Sequence, residues 1–197
     1  NAGQTCLAPD YLLVHKKIKA AFVAELAKTV KEFYGDDPRR SPDYARIVNV
    51  RHFDRIIKLL RGRKVIHGGG NSRKEKYIAP TIVDGVTMKD PIMREEIFGP
   101  LLPVMTFARI DDAIALVNRL PRPLALYYFS KNEKKQKKVL AGTASGGACV
   151  NDTVSHVGSP WLPFGGIGDS GMGRYHGRSG FETFSHQRGV LKRTTLF

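Results

Sequence analysis

A thiol stands at the sixth position of the chain. Cys6 follows Asn1-Ala2-Gly3-Gln4-Thr5, and a cysteine sulfur is a strong nucleophile toward a carbonyl carbon. With an aldehyde it would give a thiohemiacetal. The small neighbours Ala2 and Gly3 would let backbone N–H groups approach the developing oxyanion. One cysteine reads equally as a packed apolar side chain, and residue chemistry alone leaves both readings open. Glu95 and Glu96 are paired carboxylates ahead of Ile97-Phe98-Gly99-Pro100 and, from the residues alone, read as a solvated pair at a turn. His156 reads as a ligand-reaching histidine or as a surface-loop one, because no spacing identifies it as a base or metal ligand. Cys149, inside Ala148-Cys149-Val150, reads as a buried packing thiol.

Other patterns are set aside. His67-Gly68-Gly69-Gly70 is similar to a lipase oxyanion loop, but Gly168-Asp169-Ser170-Gly171-Met172 breaks the nucleophile elbow that should follow. Gly168-Asp169-Ser170-Gly171 is also similar to a serine-protease segment, yet the chain does not read as two β-barrels. The six histidines show no zinc spacing, so no metal site is expected.

The elements that must position these groups follow from periodicity. Tyr11 to Val14 reads as a buried strand, and Ile18, Phe22, Leu26, Val30 and Phe33 predict a helix closed by Gly35. Arg39 to Pro42 reads as a loop. Phe53, Ile56, Ile57 and Leu60 predict a second helix ended by Gly62. Lys64–His67 and Tyr77–Val83 read as strands across a glycine-rich turn, and Leu101–Phe107 as another. Asp111 is expected to cap a helix bearing Ile114, Val117 and Leu120. Leu124–Phe129, a lysine-rich helix and Ala148–Val150 complete an alternation that predicts an α/β fold, a mostly parallel sheet flanked by helices. The glycine-rich run from Ser159 to Gly180 reads as a functional or disordered loop, and 190–197 as a terminal strand available for oligomer contacts.

Composition bounds the rest. At 197 residues, one sizeable domain is expected. The net charge of +14 comes from dispersed basic residues, concentrated only at Lys131, Lys134, Lys135, Lys137 and Lys138. No nucleic-acid-binding module accompanies them, so a basic nucleic-acid-binding protein is a minor alternative and no nucleic-acid partner is expected. No apolar run reaches membrane-spanning length, and no signal peptide is visible. Two cysteines without a disulfide framework suggest a reducing compartment, the cytoplasm.

Three motifs in order now carry a resemblance. Gly3-Gln4-Thr5-Cys6, then Glu95 to Pro100, then Pro163-Phe164-Gly165-Gly166 with Ser170-Gly171-Met172-Gly173 together resemble the aldehyde dehydrogenase family along essentially the whole chain. Cys6-Leu7-Ala8-Pro9-Asp10-Tyr11, Pro123-Leu124-Ala125-Leu126-Tyr127, Tyr175-His176-Gly177 and Phe184-Ser185-His186-Gln187-Arg188 are similar to its class 3 branch. The resemblance implies that 1–197 is a catalytic domain portion oxidising aliphatic or aromatic aldehydes with NAD or NADP. Cys6 would be the nucleophile. Glu96 would contact nicotinamide-side ribose hydroxyls, Phe98 would pack near the nicotinamide, Asn151 would support the active-site loop, and His156 would reach the substrate. Class 3 members are typically homodimers. The family's glutamate base, asparagine oxyanion donor and cofactor-binding half are expected upstream, as in a chain truncated or cleaved before its nucleophile. The isolated chain is therefore expected to be inactive. A non-catalytic homologue serving as a binding or assembly module is the other alternative.

Overall fold

A computed structural model describes residues 1–194, and the chain divides into two compact units, Asn1–Ala115 and Leu116–Phe197. The first unit contains β1 (Leu12–His15), α1 (Lys19–Tyr34), α2 (Val50–Leu60), β2 (Lys64–His67), β3 (Asn71–Ser72), β4 (Tyr77–Ile78), β5 (Thr81–Asp84) and β6 (Leu101–Phe107). Its main sheet has the order β1-β6-β5-β2. β6 runs parallel to β1, with Leu12 opposite Val104, and parallel to β5, with Thr81 opposite Leu101. Only the edge strand β2 is antiparallel, and its register slips between Val65 and His67. The mostly parallel sheet expected from the alternating elements is therefore present.

Burial explains the strand choices. β6 is seven residues of nearly continuous apolar sequence, as a strand covered on both faces requires. Val14, Ile82 and Val104 form a core cluster in adjacent strands, and Leu12, Val23, Leu26, Ala27 and Ile66 pack against it. Each fully buried aliphatic side chain contributes roughly 1.5–3 kcal/mol relative to exposure. α1 forms where periodicity puts it, and Gly35 ends it with a positive φ of 76°. Its sheet-facing stripe, however, is Val23, Leu26 and Ala27. Ile18, Phe22 and Phe33 are exposed, Phe33 at 70%.

α2 begins at Asn49, whose side-chain oxygen accepts the His52 N–H at 2.8 Å. Phe53, Ile56 and Leu59 are its buried face. The strand expected over Tyr77–Val83 is two strands. Pro80 has no N–H to donate to a ladder, and Ala79 instead donates to Gly70 at 2.8 Å. β4 pairs with β3 in a hairpin, while β5 joins the main sheet. A short 3-10 turn, Pro38–Arg40, occupies part of the loop expected there.

Helix α3 (Ile110–Val117) starts one residue before the expected cap. Asp111 lies in its first turn, and Asp112 is the side chain that accepts the Arg109 N–H at 3.3 Å. The second unit is built on β7 (Ala125–Tyr128), α4 (Glu133–Gly142) and β8 (Gly147–Val150), a parallel strand–helix–strand unit. Asn132 caps α4 by accepting the Lys135 N–H at 3.0 Å. The lysines of this segment are exposed and Val139 is buried, so the charge run is the solvated face of the helix. Beyond β8 the chain makes 3-10 turns at Ser155–Gly158 and Gly168–Ser170, then α5 (Gly177–Thr183). An antiparallel bridge between Phe164 and Tyr175 closes the glycine-rich run, each N–H reaching the other's carbonyl at 2.9 Å. This segment leaves large apolar side chains open, with Trp161 81% and Phe184 91% exposed. Residues 190–194 carry no strand, and the remainder of the expected terminal strand lies outside the described residues. No helix among the described residues is long and apolar enough to cross a membrane.

Candidate functional site

The loop that carries Cys6 is a series of tight turns. Ala2 and Gly3 both have positive φ, 55° and 71°, Thr5 donates to Gly3 at 2.9 Å, and Ala8 donates to Thr5 at 3.0 Å. Gln4 anchors the loop by donating to Arg46 at 3.0 Å and accepting the Val48 N–H at 2.9 Å. The Cys6 thiol is exposed. Its backbone N–H donates to no acceptor among the described residues, so it is available to an oxyanion formed beside the sulfur.

The paired-carboxylate segment lies against this loop. A Cβ added to Gly3 would fall 2.3 Å from the Gly99 carbonyl oxygen. Only glycine permits that approach with that positive φ. Cys6 and the Glu95–Pro100 segment, which sequence reasoning singled out separately, are thus joined through their backbones.

α2 holds the second segment from the other side. The Arg55 guanidinium donates to a Glu95 carboxylate oxygen at 3.0 Å, to the Glu96 carbonyl at 3.1 Å and to the Ile97 carbonyl. Arg55 Nε also donates to His52 Nδ1 at 3.2 Å. Because Nδ1 accepts, His52 Nε2 carries the ring proton and donates to the Phe98 carbonyl at 2.9 Å. This clamp holds Phe98 at a φ of +47°, a conformation costly for a residue with a side chain. Phe98 is half-buried, its ring edge-on to His52 with centroids 6.1 Å apart. Glu96 is exposed, its backbone fixed and its carboxylate in solvent.

Asp10 completes the arrangement by accepting the Ile97 N–H at 2.8 Å. Burial pushes the Asp10 carboxyl above its ordinary range. The neighbouring Glu96 charge acts in the same direction, while the Ile97 hydrogen bond and Arg55 oppose it. Sequence reasoning missed Asp10, His52 and Arg55. The only signal was His52 and Arg55 at i, i+3 among the apolar positions of an amphipathic helix.

Asn151 and His156 belong to the second unit. Asn151 has a φ of +58°. Its N–H reaches Tyr128 at 2.9 Å and its side-chain oxygen accepts the Ser130 N–H at 2.8 Å, tying the end of β8 to the exit of β7. His156 is buried, against the surface-loop alternative. Its Nδ1 lies 3.1 Å from Cys149 Sγ, and its ring is flanked by Tyr127 and Phe164. Cys149 is buried as expected, with an imidazole partner that the sequence did not reveal. No cluster of three metal-ligating side chains occurs among the described residues.

Comparisons with known proteins agree with these motifs. The family model "Aldehyde dehydrogenase family" matches residues 1–190. The bovine protein named "Aldehyde dehydrogenase, dimeric NADP-preferring" is 51% identical over 196 residues, covering 100% of this chain and 82% of its own length. A Staphylococcus aureus protein, 4,4'-diaponeurosporen-aldehyde dehydrogenase, is 47% identical over 99% of this chain and only 43% of its own length. The chain likewise spans 43% of the mouse dimeric NADP-preferring enzyme, less than half of that relative. Among solved structures, a substrate-bound aldehyde dehydrogenase of Staphylococcus aureus superposes with a TM-score of 0.93 at 47% identity, covering 100% of this chain and 43% of that one. An NAD-dependent aldehyde dehydrogenase from Sinorhizobium meliloti superposes with a TM-score of 0.85 at 29% identity, covering 100% of this chain and 41% of its own. With the exposed Cys6 loop and the clamped Glu95–Pro100 segment joined at Gly3 and Gly99, and a family model matching residues 1–190, the chain belongs to the aldehyde dehydrogenase family.

Proposed function

We propose that this chain is the catalytic portion of an NAD(P)-dependent enzyme that oxidises aliphatic or aromatic aldehydes to carboxylic acids, with Cys6 as nucleophile. The observation that carries the reading is the seating of Gly3 on Gly99, which places an exposed thiol loop directly against the Glu96–Phe98 segment. Cys6 Sγ adds to the aldehyde carbon, and the Cys6 N–H donates a hydrogen bond to the resulting oxyanion. Loss of hydride from that adduct leaves a thioester on Cys6, which water cleaves to the acid.

The residues present fit a nicotinamide cofactor. An exposed carboxylate at Glu96 suits two ribose hydroxyls, and the Phe98 ring offers an apolar face beside it, both on backbone that Arg55 and His52 immobilise. When bound, NAD or NADP supplies the acceptor for the hydride. β1 leads into α1 through Lys16-Lys17-Ile18, without the glycine-rich turn that cradles a pyrophosphate. In this reading, the remaining cofactor contacts and the water-activating base belong to the part of its relatives' length that this chain does not span. The names of relatives support a homodimer, and two unpaired cysteines fit the cytoplasm.

Protection of Cys6 tests the reading. The chain is alkylated with iodoacetamide at rising benzaldehyde concentrations, and the Cys6 and Cys149 peptides are followed by mass. Saturable slowing at Cys6 is expected. A Cys6 rate indifferent to aldehyde would remove the basis for assigning it as nucleophile.

A further inference from the structure

We propose that Cys149 and His156 form a reactive thiol–imidazole pair, separate from Cys6, which adds through sulfur to small α,β-unsaturated carbonyl compounds. The pair lies wholly in the second unit and does not depend on the role of Cys6. Cys149 sits on β8 and His156 on the 3-10 turn that follows, each 8% exposed, with Sγ 3.1 Å from Nδ1.

Three features fix the imidazole in that orientation. Tyr127 and Phe164 flank the ring, with centroids at 6.1 Å and 6.0 Å. A Cβ on Gly147 would fall 2.7 Å from His156 Cδ2, so the strand passes the ring only because that residue is glycine. Val154, at the entry to the turn, is held at a φ of +61°, strained for a β-branched residue. In either tautomer the Nε2 edge of the ring lacks a partner among the described residues, and the tautomer that makes Nδ1 a base is the one proposed to react. With the thiol donating to Nδ1, the ring proton is on Nε2, and that atom is buried with no partner among the described residues. Leaving such a group unpaired in a buried place is unfavourable. A thiol buried only for packing requires neither an acceptor at hydrogen-bond distance nor that cost.

An imidazole with Nδ1 open toward a thiol is a base placed for sulfur addition. The Cys149 proton passes to Nδ1 as Sγ bonds to the β-carbon of the unsaturated carbonyl compound. The C=C electron pair moves onto the carbonyl oxygen as an enolate. The proton then returns from Nδ1 to the α-carbon. The product is a saturated thioether carbonyl, and nothing is oxidised or reduced overall. Burial selects small reagents, because little of the sulfur is open.

Acrylamide is the probe, since it is an unsaturated carbonyl that forms no imine with lysine. The chain is treated at neutral pH, native and in denaturing urea, and the Cys149 and Cys6 peptides are quantified by mass over time. The native Cys149 rate is expected to exceed its rate in urea, and His156→Gln to lower the native rate at least about tenfold, with Cys6 unchanged as internal reference. A native rate below the urea rate, or an H156Q rate equal to wild type, overturns the proposal. If H156Q does not fold, the native-to-urea comparison on the wild-type chain decides by itself.

Discussion

At the residue scale, the unexpected participant is Asp10. Its carboxyl accepts the Ile97 N–H while burial and the Glu96 charge favour the protonated form. A carboxyl raised above its ordinary value of 3.8 contributes stability that is fully present below that value and lost as pH rises through the folded value. Asp10→Asn keeps an oxygen acceptor for Ile97 and removes the titration. The midpoint of thermal unfolding of Asp10→Asn is therefore expected to gain on wild type as pH rises above about 4, then to hold a constant lead. Parallel curves across that window would show that Asp10 carries no penalty. Arg55 acts the other way: one side chain satisfies the Glu96 and Ile97 carbonyls, both committed to a loop with no strand partner.

At the element scale, the join between Gly3 and Gly99 is the most sensitive point. Gly3→Ala would place a Cβ 2.3 Å from a carbonyl oxygen at a φ of +71°. Strain and displacement together are expected to cost about 3 kcal/mol. A lowered unfolding midpoint and loss of aldehyde protection at Cys6 would be the readouts. A variant matching wild type in both would mean that the loop and the Glu95–Pro100 segment are not coupled. Much of this organisation was legible in the residues. β6 was readable end to end because it is largely buried and its apolar run is nearly continuous. α1 was readable as a helix, but its buried stripe was not. Ile18, Phe22 and Phe33 repeat at helical spacing as well as Val23, Leu26 and Ala27 do, and only the sheet decides between the two faces. Motif spacing singled out Cys6, Glu96 and Phe98 as candidates, and the fold brings their segments together. It could not identify Arg55 or the partner of Cys149, since a hydrogen bond across many residues leaves no periodic trace.

At the scale of the whole molecule, the chain carries the proposed nucleophile without a described base beside it, and spans less than half of most of the relatives compared. The isolated chain mixed with NAD or NADP and an aldehyde is expected to produce no reduced cofactor, as read by absorbance. Steady turnover by pure chain would refute the division of labour proposed above. The open apolar side chains of the second unit, Trp161, Leu162, Met172, Phe181 and Phe184 among them, have a colloidal consequence. Copies of a chain with net charge +14 repel one another while their fields reach across solvent. That reach is about 10 Å at 0.1 M salt and about 3 Å at 1 M. Once salt shortens that reach, the apolar faces are free to meet, so light scattering is expected to rise as salt is added, the reverse of a protein whose copies are held together by opposite charges.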